Sequence, residues 1–190
     1  MTAVILAGGK SIRMGRNKAF LKLEGKTLIE RQIELLREIF DEIIISANTP
    51  SEYEYLNIPV VEDIYPNKGS LGGIYTGLIN SKSSYTFVLA CDMPFIEIKF
   101  IKHLEGFTKG YDVVVPQSNK GLEPLYAFYS KNCIEPIKRE LDGNNLRIIS
   151  FFPHVNVKIV ELDGSISLAK YKDTIKNLNT MEEYENAKIK

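Results

Sequence analysis

The stretch VILAGGKSIRMGRNKA, from Val4 to Ala19, decides the fold, because it joins an apolar run to two adjacent glycines and a series of basic residues. The apolar residues 2–7 have the length and composition of a buried strand. Glycines after a strand allow the backbone to come close to an anion, and the amides that follow can surround phosphate oxygens. The stretch therefore predicts a phosphate-binding loop after a first strand.

The spacing of these glycines excludes the two commonest phosphate loops. A Walker A loop requires G-x-x-x-x-G-K-[ST], and its first glycine would fall on Val4. The dinucleotide fingerprint G-x-G-x-x-G also fails, because Gly8 and Gly9 are adjacent and the next glycine is Gly15. The loop therefore belongs neither to a P-loop ATPase nor to an ordinary NAD-binding protein.

Beyond this loop, short apolar runs alternate with amphipathic patterns along the chain. Capping boxes at Thr27 and Thr180 predict the starts of two helices, over residues 27–40 and 180–189. Further helices are predicted at 71–81, 96–107, 131–141 and from residue 145, and strands at 2–7, 42–48, 59–63, 85–92, 112–116, 125–130 and 157–162. This alternation predicts an α/β fold, a Rossmann-like three-layer sandwich with a mostly parallel sheet. Because no linker or internal repeat divides the sequence, we expect a single domain over residues 1–190.

The amino-acid composition limits the classes of molecule that the protein is expected to bind. The 190 residues include 24 basic and 24 acidic ones, so the formal charge is zero, whereas nucleic-acid binding usually requires a basic surplus. Basic residues are concentrated within residues 1–26, which favours a small and very negative ligand.

Cys91 and Cys133 lack metal-type spacing and imply no disulfide framework, which suits a reducing cytoplasm. Without a signal peptide or a stretch of about 18 apolar residues, we expect a cytoplasmic protein that does not contact membranes.

Two acidic residues lie at predicted strand ends. Asp92 follows the apolar run YTFVLAC, and Asp63 ends the run PVVED. In a mostly parallel sheet the carboxyl ends of the strands border the crevice in which ligands bind. A carboxylate there is costly to bury without a cation, so Asp92 is the predicted ligand of Mg²⁺. A role in capping a strand or turn stays open for both residues.

The pattern L-A-G-G-x-S-x-R-M-G-x-x-K resembles the signature of sugar-nucleotide-type nucleotidyltransferases. Four later stretches are similar to those of the molybdenum cofactor guanylyltransferases: GSLGGIYTGL (69–78), CDMPF (91–95), EPLYAFY (123–129) and NLNTMEEY (177–184). The resemblance runs from residue 3 to about residue 186. It implies a fold of the nucleotide-diphospho-sugar transferase type. It also implies transfer of GMP from GTP to the terminal phosphate of molybdenum-bound molybdopterin, with release of pyrophosphate.

The nucleotide would be bound by residues from several strand ends. The resemblance implies backbone contacts from Leu6, Ala7 and Gly8, which Gly9 continues, and it assigns Asp63 to the nucleotide pocket. In the glycine-rich stretch 69–73, the absence of side chains would let a base or ribose lie against Gly72. The predicted nucleotide-binding set is therefore Leu6, Ala7, Gly8, Gly9, Lys18, Asp63, Gly72 and Asp92. A glycine turn of purely structural use stays open for residues 69–73.

Three charged residues are predicted to be catalytic. Arg13 is a planar donor suited to the β- and γ-phosphates, and Lys18 is a point charge suited to the α-phosphate, where charge develops. Asp92 joins them through its proposed Mg²⁺ ion. The simpler alternative for Arg13 and Lys18 is that they are solvated loop charges.

The second substrate would contact residues late in the chain. The resemblance implies that the pterin-side substrate meets Glu123, Asn177 and Asn179. A strand-entry charge for Glu123, and loop capping for Asn177 and Asn179, stay open as simpler roles. No catalytic or metal-binding set can be built from the two histidines.

Three other functions stay open from the sequence. These are a cytidylyltransferase for the same cofactor, a nucleotidyltransferase that acts on a sugar or alcohol phosphate, and a nucleotide-binding regulator without catalysis. The first two more often show A-A-G in the loop or a proline before the lysine, whereas this chain has Asn17 before Lys18. The expected partners are GTP and molybdenum-molybdopterin. Transient contacts with other cofactor-biosynthesis proteins or apo-molybdoenzymes are compatible with this function.

Overall fold

A computed structural model of the chain describes residues 1–7, 17–162, 168, 170–171, 173–178 and 180–187. The strands of this part are β1 (Thr2–Leu6), β2 (Lys22–Leu23), β3 (Lys26–Thr27), β4 (Glu42–Ser46), β5 (Val60–Val61), β6 (Tyr85–Ala90), β7 (Val113–Ser118), β8 (Gly121–Leu122), β9 (Tyr126–Ser130) and β10 (Val157–Glu161). The helices are α1 (Leu28–Leu36), α2 (Gly69–Asn80), α3 (Ile98–Glu105), α4 (Ile134–Asp142) and α5 (Met181–Ala187). Short 3₁₀ turns occupy Lys18–Phe20, Pro50–Leu56, Lys131–Cys133 and Ile148–His154.

Eight strands of the described residues form one sheet in the order β10-β7-β9-β6-β1-β4-β5, with β8 paired to β7. The pairs β10–β7, β6–β1, β1–β4 and β4–β5 are parallel. Strand β9 runs antiparallel to both of its neighbours, and β8 runs antiparallel to β7. The prediction of a mostly parallel sheet is therefore confirmed.

Strand β1 lies between β4 and β6, and this position defines the edge at which a site can form. Its last residue, Leu6, is paired with Ser46 of β4 on one side and with Ala90 of β6 on the other. Because the three strands are parallel and in register, their carboxyl ends reach the same edge of the sheet. Ligands of open α/β sheets bind at such an edge.

Two hydrophobic cores cover the two faces of the sheet. One contains the apolar residues of α1 and α3 together with Ala3 and Ile5 of β1. The other contains those of α2 and α4 together with Val88 of β6. The three-layer arrangement is thus confirmed, because helices pack on both faces. Within the described residues, no helix has the length and apolar character needed to cross a membrane.

Both predicted capping boxes are present. The Thr27 side chain accepts a hydrogen bond from the Glu30 amide, and the Glu30 carboxylate accepts one from the Thr27 amide. Thr180 and Glu183 exchange the same pair of hydrogen bonds before α5. These boxes are local, since each spans four residues, which explains why the sequence alone could predict them.

Several predicted elements differ from the observed ones. The helix predicted at 71–81 begins earlier, at Gly69, which has a φ of 60°, so Gly72 lies within α2 and the alternative of a glycine turn over residues 69–73 does not hold for it. The helix predicted from residue 145 is the 3₁₀ turn Ile148–His154. The hairpin of β2 and β3 was not predicted, although Glu24 and Gly25, both with positive φ, supply the two-residue turn that such hairpins favour.

Candidate active site

The backbone beyond β1 is held in place by the neighbouring strands. The Ala7 amide donates to the Ser46 carbonyl oxygen at 2.9 Å, and the Cys91 amide donates to the Leu6 carbonyl oxygen at 3.1 Å. The segments that follow β1 and β6 therefore start from fixed positions on the same edge. Leu6 and Ala7, which were predicted to bind the nucleotide, lie at this edge.

Lys18 and Asp92 form an ion pair at the same edge. The Lys18 Nζ atom lies 3.2 Å from Asp92 Oδ2, and the two side chains are 14% and 19% exposed. Asp92 follows β6, and Lys18 begins the 3₁₀ turn that Asn17 caps. Since both charges are largely removed from water, each acts on the other and on an incoming ligand more strongly than a surface charge would. The structure brings together the two residues that the sequence singled out separately.

A buried glutamine holds the turn that carries Asp92. The Gln32 side chain of α1 is fully buried, and its Nε2 atom donates to the carbonyl oxygens of Ala90 and Met93, both at 2.9 Å. These carbonyls flank Asp92 in the chain. The sequence analysis missed Gln32, although a polar residue on the apolar face of a predicted helix is a usable signal.

The C-terminal part of the chain contacts the same turn. The Leu178 amide donates to the Asp92 carbonyl oxygen at 2.8 Å, which brings Asn177 beside Asp92. The Asn177 Oδ1 atom is buried and has no hydrogen-bond partner among the residues that the structure describes. A buried acceptor without a partner is costly, so this oxygen is suited to an N–H donor of a ligand. Asn179 lies outside the described residues.

Asp63 occupies a buried position on the other side of β1. Its Oδ1 atom accepts a hydrogen bond from Ser46 Oγ at 2.6 Å, and the residue is 7% exposed. Burial raises the pKa of Asp63, and the bond from Ser46 opposes that shift. A Cβ atom added at Gly73 would lie 3.0 Å from Leu6 Cδ2 and 3.3 Å from Ser46 Oγ, so α2 closes tightly over this group.

Gly72 lies in the first turns of α2. A Cβ atom there would be 3.1 Å from both the Tyr65 carbonyl oxygen and Lys68 Cβ, so close packing is one structural reason for a glycine at this position. Gly8, Gly9 and Arg13, which were predicted to contact the phosphates, lie outside the described residues.

Glu123 lies near the edge of the sheet that carries the candidate site, because β9 runs antiparallel to β6 and β7. The antiparallel pairing places Tyr126, the first residue of β9, opposite Leu89 near the end of β6. The Ala90 amide then donates to the Leu125 carbonyl oxygen at 3.1 Å. Glu123, which is half-buried, accepts a hydrogen bond from Ser118 Oγ at 3.2 Å. Burial raises the pKa of Glu123 against the effect of that bond.

The residues present limit the chemistry at this edge. Burial and the neighbouring Asp92 raise the pKa of the Cys91 thiol to about 12, which argues against a thiolate nucleophile. No three side chains of His, Cys, Asp and Glu come together as a metal-binding group in the described part of the chain. A single carboxylate such as Asp92 nevertheless fits Mg²⁺ when substrate phosphates supply further oxygens. The site is suited to aligning phosphates and balancing their charge.

Comparison with known proteins gives consistent matches over the chain. Residues 3–154 match the family model of the MobA-like NTP transferase domain. A Clostridium perfringens protein named probable molybdenum cofactor guanylyltransferase is 40% identical over 188 residues, which are 97% of this chain and 94% of that protein. A Desulfosudis oleivorans protein named molybdenum cofactor guanylyltransferase is 37% identical over 189 residues, which are 98% of this chain and 94% of that protein.

A solved structure shows the same fold. The crystal structure of molybdopterin-guanine dinucleotide biosynthesis protein A from Archaeoglobus fulgidus superposes with a TM-score of 0.86 at 26% identity. The superposition covers 100% of this chain and 97% of that one. The sequence and structural similarities thus extend over nearly the whole chain.

Proposed function

Because the chain belongs to the family of MobA-like NTP transferase domains, we propose that this nucleotidyltransferase moves GMP from GTP to the terminal phosphate of molybdenum-bound molybdopterin. The products are molybdopterin guanine dinucleotide and pyrophosphate. The observation that carries the proposal is the ion pair of Lys18 and Asp92, 3.2 Å apart, at the edge where β1, β4 and β6 end.

The reaction is a displacement at the α-phosphorus of GTP. An oxygen of the pterin phosphate attacks this phosphorus, and the bond to the oxygen that bridges to the β-phosphate breaks. Pyrophosphate leaves with that electron pair. The protein must bring together two anions that repel each other and must balance the charge that develops in the transition state. Lys18 supplies a cation for the α-phosphate, and Arg13 is proposed to hold the β- and γ-phosphates.

Enzymes of this family generally use a divalent cation, and we assign Mg²⁺ to that role here. Asp92 would hold the ion, since a carboxylate and phosphate oxygens are the hard ligands that Mg²⁺ prefers. The bound ion would withdraw charge from the phosphate oxygens. Gln32 and Leu178 hold the backbone of the turn that carries Asp92.

The other predicted residues divide between the two substrates. We assign Leu6, Ala7, Gly8, Gly9, Asp63 and Gly72 to the nucleotide. Asp63 supports this assignment, because its buried carboxylate can accept hydrogen bonds from N–H groups of a base. We assign Glu123, Asn177 and Asn179 to the pterin. The Asn177 oxygen, which has no hydrogen-bond partner within the described part of the chain, supports that role, since a pterin carries N–H donors.

The proposal extends to the organisation of the chain and its setting. We propose that residues 1–190 form one nucleotidyltransferase domain that acts in the cytoplasm. Strand β10 supports a single domain, because it lies beyond the residues that match the family model and still pairs with β7 of the same sheet. We also propose transient contacts with other cofactor-biosynthesis proteins or apo-molybdoenzymes, which would deliver the substrate or receive the product.

Pyrophosphate release tests the function directly. Each of GTP, CTP, ATP and UTP is supplied with Mg²⁺, with and without molybdenum-loaded molybdopterin. We expect release from GTP that depends on the pterin. Pterin-dependent release from CTP would identify a cytidylyltransferase instead. Nucleotide binding without release from any of the four, also with sugar phosphates as acceptors, would contradict catalysis and favour a regulator.

A further inference from the structure

A buried tyrosine joins two segments of the chain that border the site. Tyr53, in the 3₁₀ turn Pro50–Leu56, is fully buried. Its hydroxyl donates to the Ala7 carbonyl oxygen at 3.0 Å and accepts from Asn17 Nδ2 at 2.8 Å. Ala7 follows β1, and Asn17 immediately precedes Lys18. The Tyr53 hydroxyl therefore joins the residue after β1 to the residue before Lys18, the proposed catalytic lysine.

The amide of Asn17 passes this constraint on to Lys18. Asn17 Oδ1 accepts from the Ala19 amide at 3.1 Å and so caps the turn that begins at Lys18. Asn17 Nδ2 also donates to Glu52 Oε2 at 3.0 Å. Because the Oδ1 and Nδ2 atoms of Asn17 are both hydrogen-bonded, only one orientation of its side-chain amide satisfies all these bonds.

The direction of the hydrogen bonds makes the tyrosine hydroxyl necessary. Asn17 donates to Tyr53, and Tyr53 donates to Ala7, so the central group must both accept and donate. Burial raises the pKa of Tyr53 to about 12, against the effect of the bond from Asn17, so the hydroxyl keeps its proton at neutral pH. Phenylalanine would keep the ring, which stacks on Phe20 at 5.1 Å, and would remove only this relay.

We propose that Tyr53 is a positioning residue, which through Asn17 holds Lys18 beside Asp92 for nucleotidyl transfer. The inference rests on the proposed function for the role of Lys18. Tyr53 does not itself touch the substrates in this account. Its effect arises because the contribution of a catalytic group depends steeply on its placement.

Tyr53→Phe separates positioning from substrate binding. We expect kcat for GTP-dependent pyrophosphate release to fall by roughly tenfold while the KM for GTP changes by less than about threefold, since Lys18 acts mainly on charge of the transition state. The matched control is Tyr85→Phe, because the Tyr85 hydroxyl donates to the Tyr111 carbonyl oxygen at 3.2 Å and has no place in this network. A folded Tyr53→Phe enzyme with a kcat within twofold of that control would overturn the proposal.

A double-mutant cycle tests whether Tyr53 acts through Asn17. If the two residues form one relay, the combined Tyr53→Phe and Asn17→Ala variant loses little more kcat than the worse single variant. Effects that multiply would show that Tyr53 does not act through Asn17, and the proposal would be wrong.

Hydrogen exchange keeps this inference separate from the proposed reaction. The Ala19 amide is measured in the protein without substrates, and we expect faster exchange in Tyr53→Phe than in wild type or Tyr85→Phe, because its acceptor Asn17 loses a constraint. Unchanged exchange would overturn the positioning role. If the wild-type protein released no pyrophosphate with any nucleotide, the proposed function would be wrong. The exchange rate of the Ala19 amide would still show whether Tyr53 orders the turn Lys18–Phe20.

Discussion

Lys18 and Asp92 are 74 residues apart in the chain, and their side chains meet at 3.2 Å. Each residue balances the charge of the other. In the proposed reaction a triphosphate would offer Lys18 a new anion, and the carboxylate of Asp92 would then be available for a cation. Groups that the fold places beforehand limit the reorganisation needed at the transition state.

Asp92→Asn tests the carboxylate. The substitution keeps the shape of the side chain and removes its charge, so we expect Mg²⁺-dependent turnover to fall by at least about 100-fold. The fold should remain intact, because Gln32 and Leu178 bind backbone carbonyls of this turn. Turnover and thermal unfolding are compared with those of Glu38→Gln, which changes an exposed carboxylate. Activity like that of wild type would remove Asp92 from the mechanism.

Lys18→Ala tests the cation. If Lys18 acts on charge that forms during transfer, kcat should fall by about 100- to 1,000-fold, and the affinity for GTP should weaken by less than about tenfold. Steady-state kinetics and equilibrium nucleotide binding give the two quantities. Lys22→Ala, at an exposed lysine close by in the chain, is the control and should change neither. Weaker binding with an unchanged kcat would contradict the transition-state role.

At the scale of elements, helix α2 depends on glycine for its closeness to the sheet. A Cβ atom at Gly77 would lie 2.7 Å from Val4 Cγ1, and one at Gly73 would lie 3.0 Å from Leu6 Cδ2. Both neighbours belong to β1, the strand that precedes the predicted phosphate loop. Gly73 and Gly77 are thus explained by packing of the helix on the sheet, and this packing brings α2 over Asp63.

Gly77→Ala tests this packing. Alanine is the better helix former by up to about 1 kcal/mol, yet the clash with the fully buried Val4 requires backbone movement. We expect the free energy of unfolding to fall by about 1 to 3 kcal/mol, as overpacking of a core generally costs. Urea denaturation measures the change. Ser70→Ala in the same helix, at an exposed position, should alter stability by less than about 0.5 kcal/mol. A Gly77→Ala variant as stable as that control would be evidence against close packing as the reason for Gly77.

At the scale of the whole molecule, Asp112 connects three distant segments at one end of the sheet. Its Oδ1 atom accepts hydrogen bonds from Ser130 Oγ and Asn132 Nδ2, and its Oδ2 atom accepts one from the Asn156 amide. These residues border β7, β9 and β10. Burial works to raise the pKa of Asp112, but the hydrogen bonds from Asn156, Asn132 and Ser130 outweigh it, so that the pKa is lowered.

The lowered pKa predicts a pH dependence of stability. A carboxyl group with a lower pKa in the folded state stabilises the fold above its ordinary pKa of 3.8, and this contribution is lost as the pH falls through the folded value. Asp112→Asn should therefore lower the free energy of unfolding by about 1 to 3 kcal/mol at pH 7, and the deficit should shrink below about pH 4. Denaturation at several pH values, with Glu54→Gln at an exposed site as control, measures this. A deficit independent of pH would contradict the assigned cause.

Much of the fold could be predicted because its signals are local. Strand β1, helix α1 with its capping box, and α5 follow from apolar spacing and from residues within one turn of each other. The glycine–cation motif and Asp92 likewise predicted a candidate site from short stretches. The hairpin of β2 and β3 and the reversal of β9 were not predicted, because neither leaves a periodic pattern strong enough to read.

The sequence by itself determined the order of the longer strands and helices, the predicted phosphate-loop motif and the family. The tertiary structure alone decided which residues meet: Lys18 with Asp92, Gln32 with the carbonyls that flank Asp92, and Tyr53 with Ala7. The physical reason is the separation along the chain over which each kind of interaction acts. Helix and strand propensities act between residues a few positions apart, whereas these hydrogen bonds and ion pairs join residues 46 to 74 positions apart. Such contacts exist only once the parallel strands have brought their carboxyl ends to one edge.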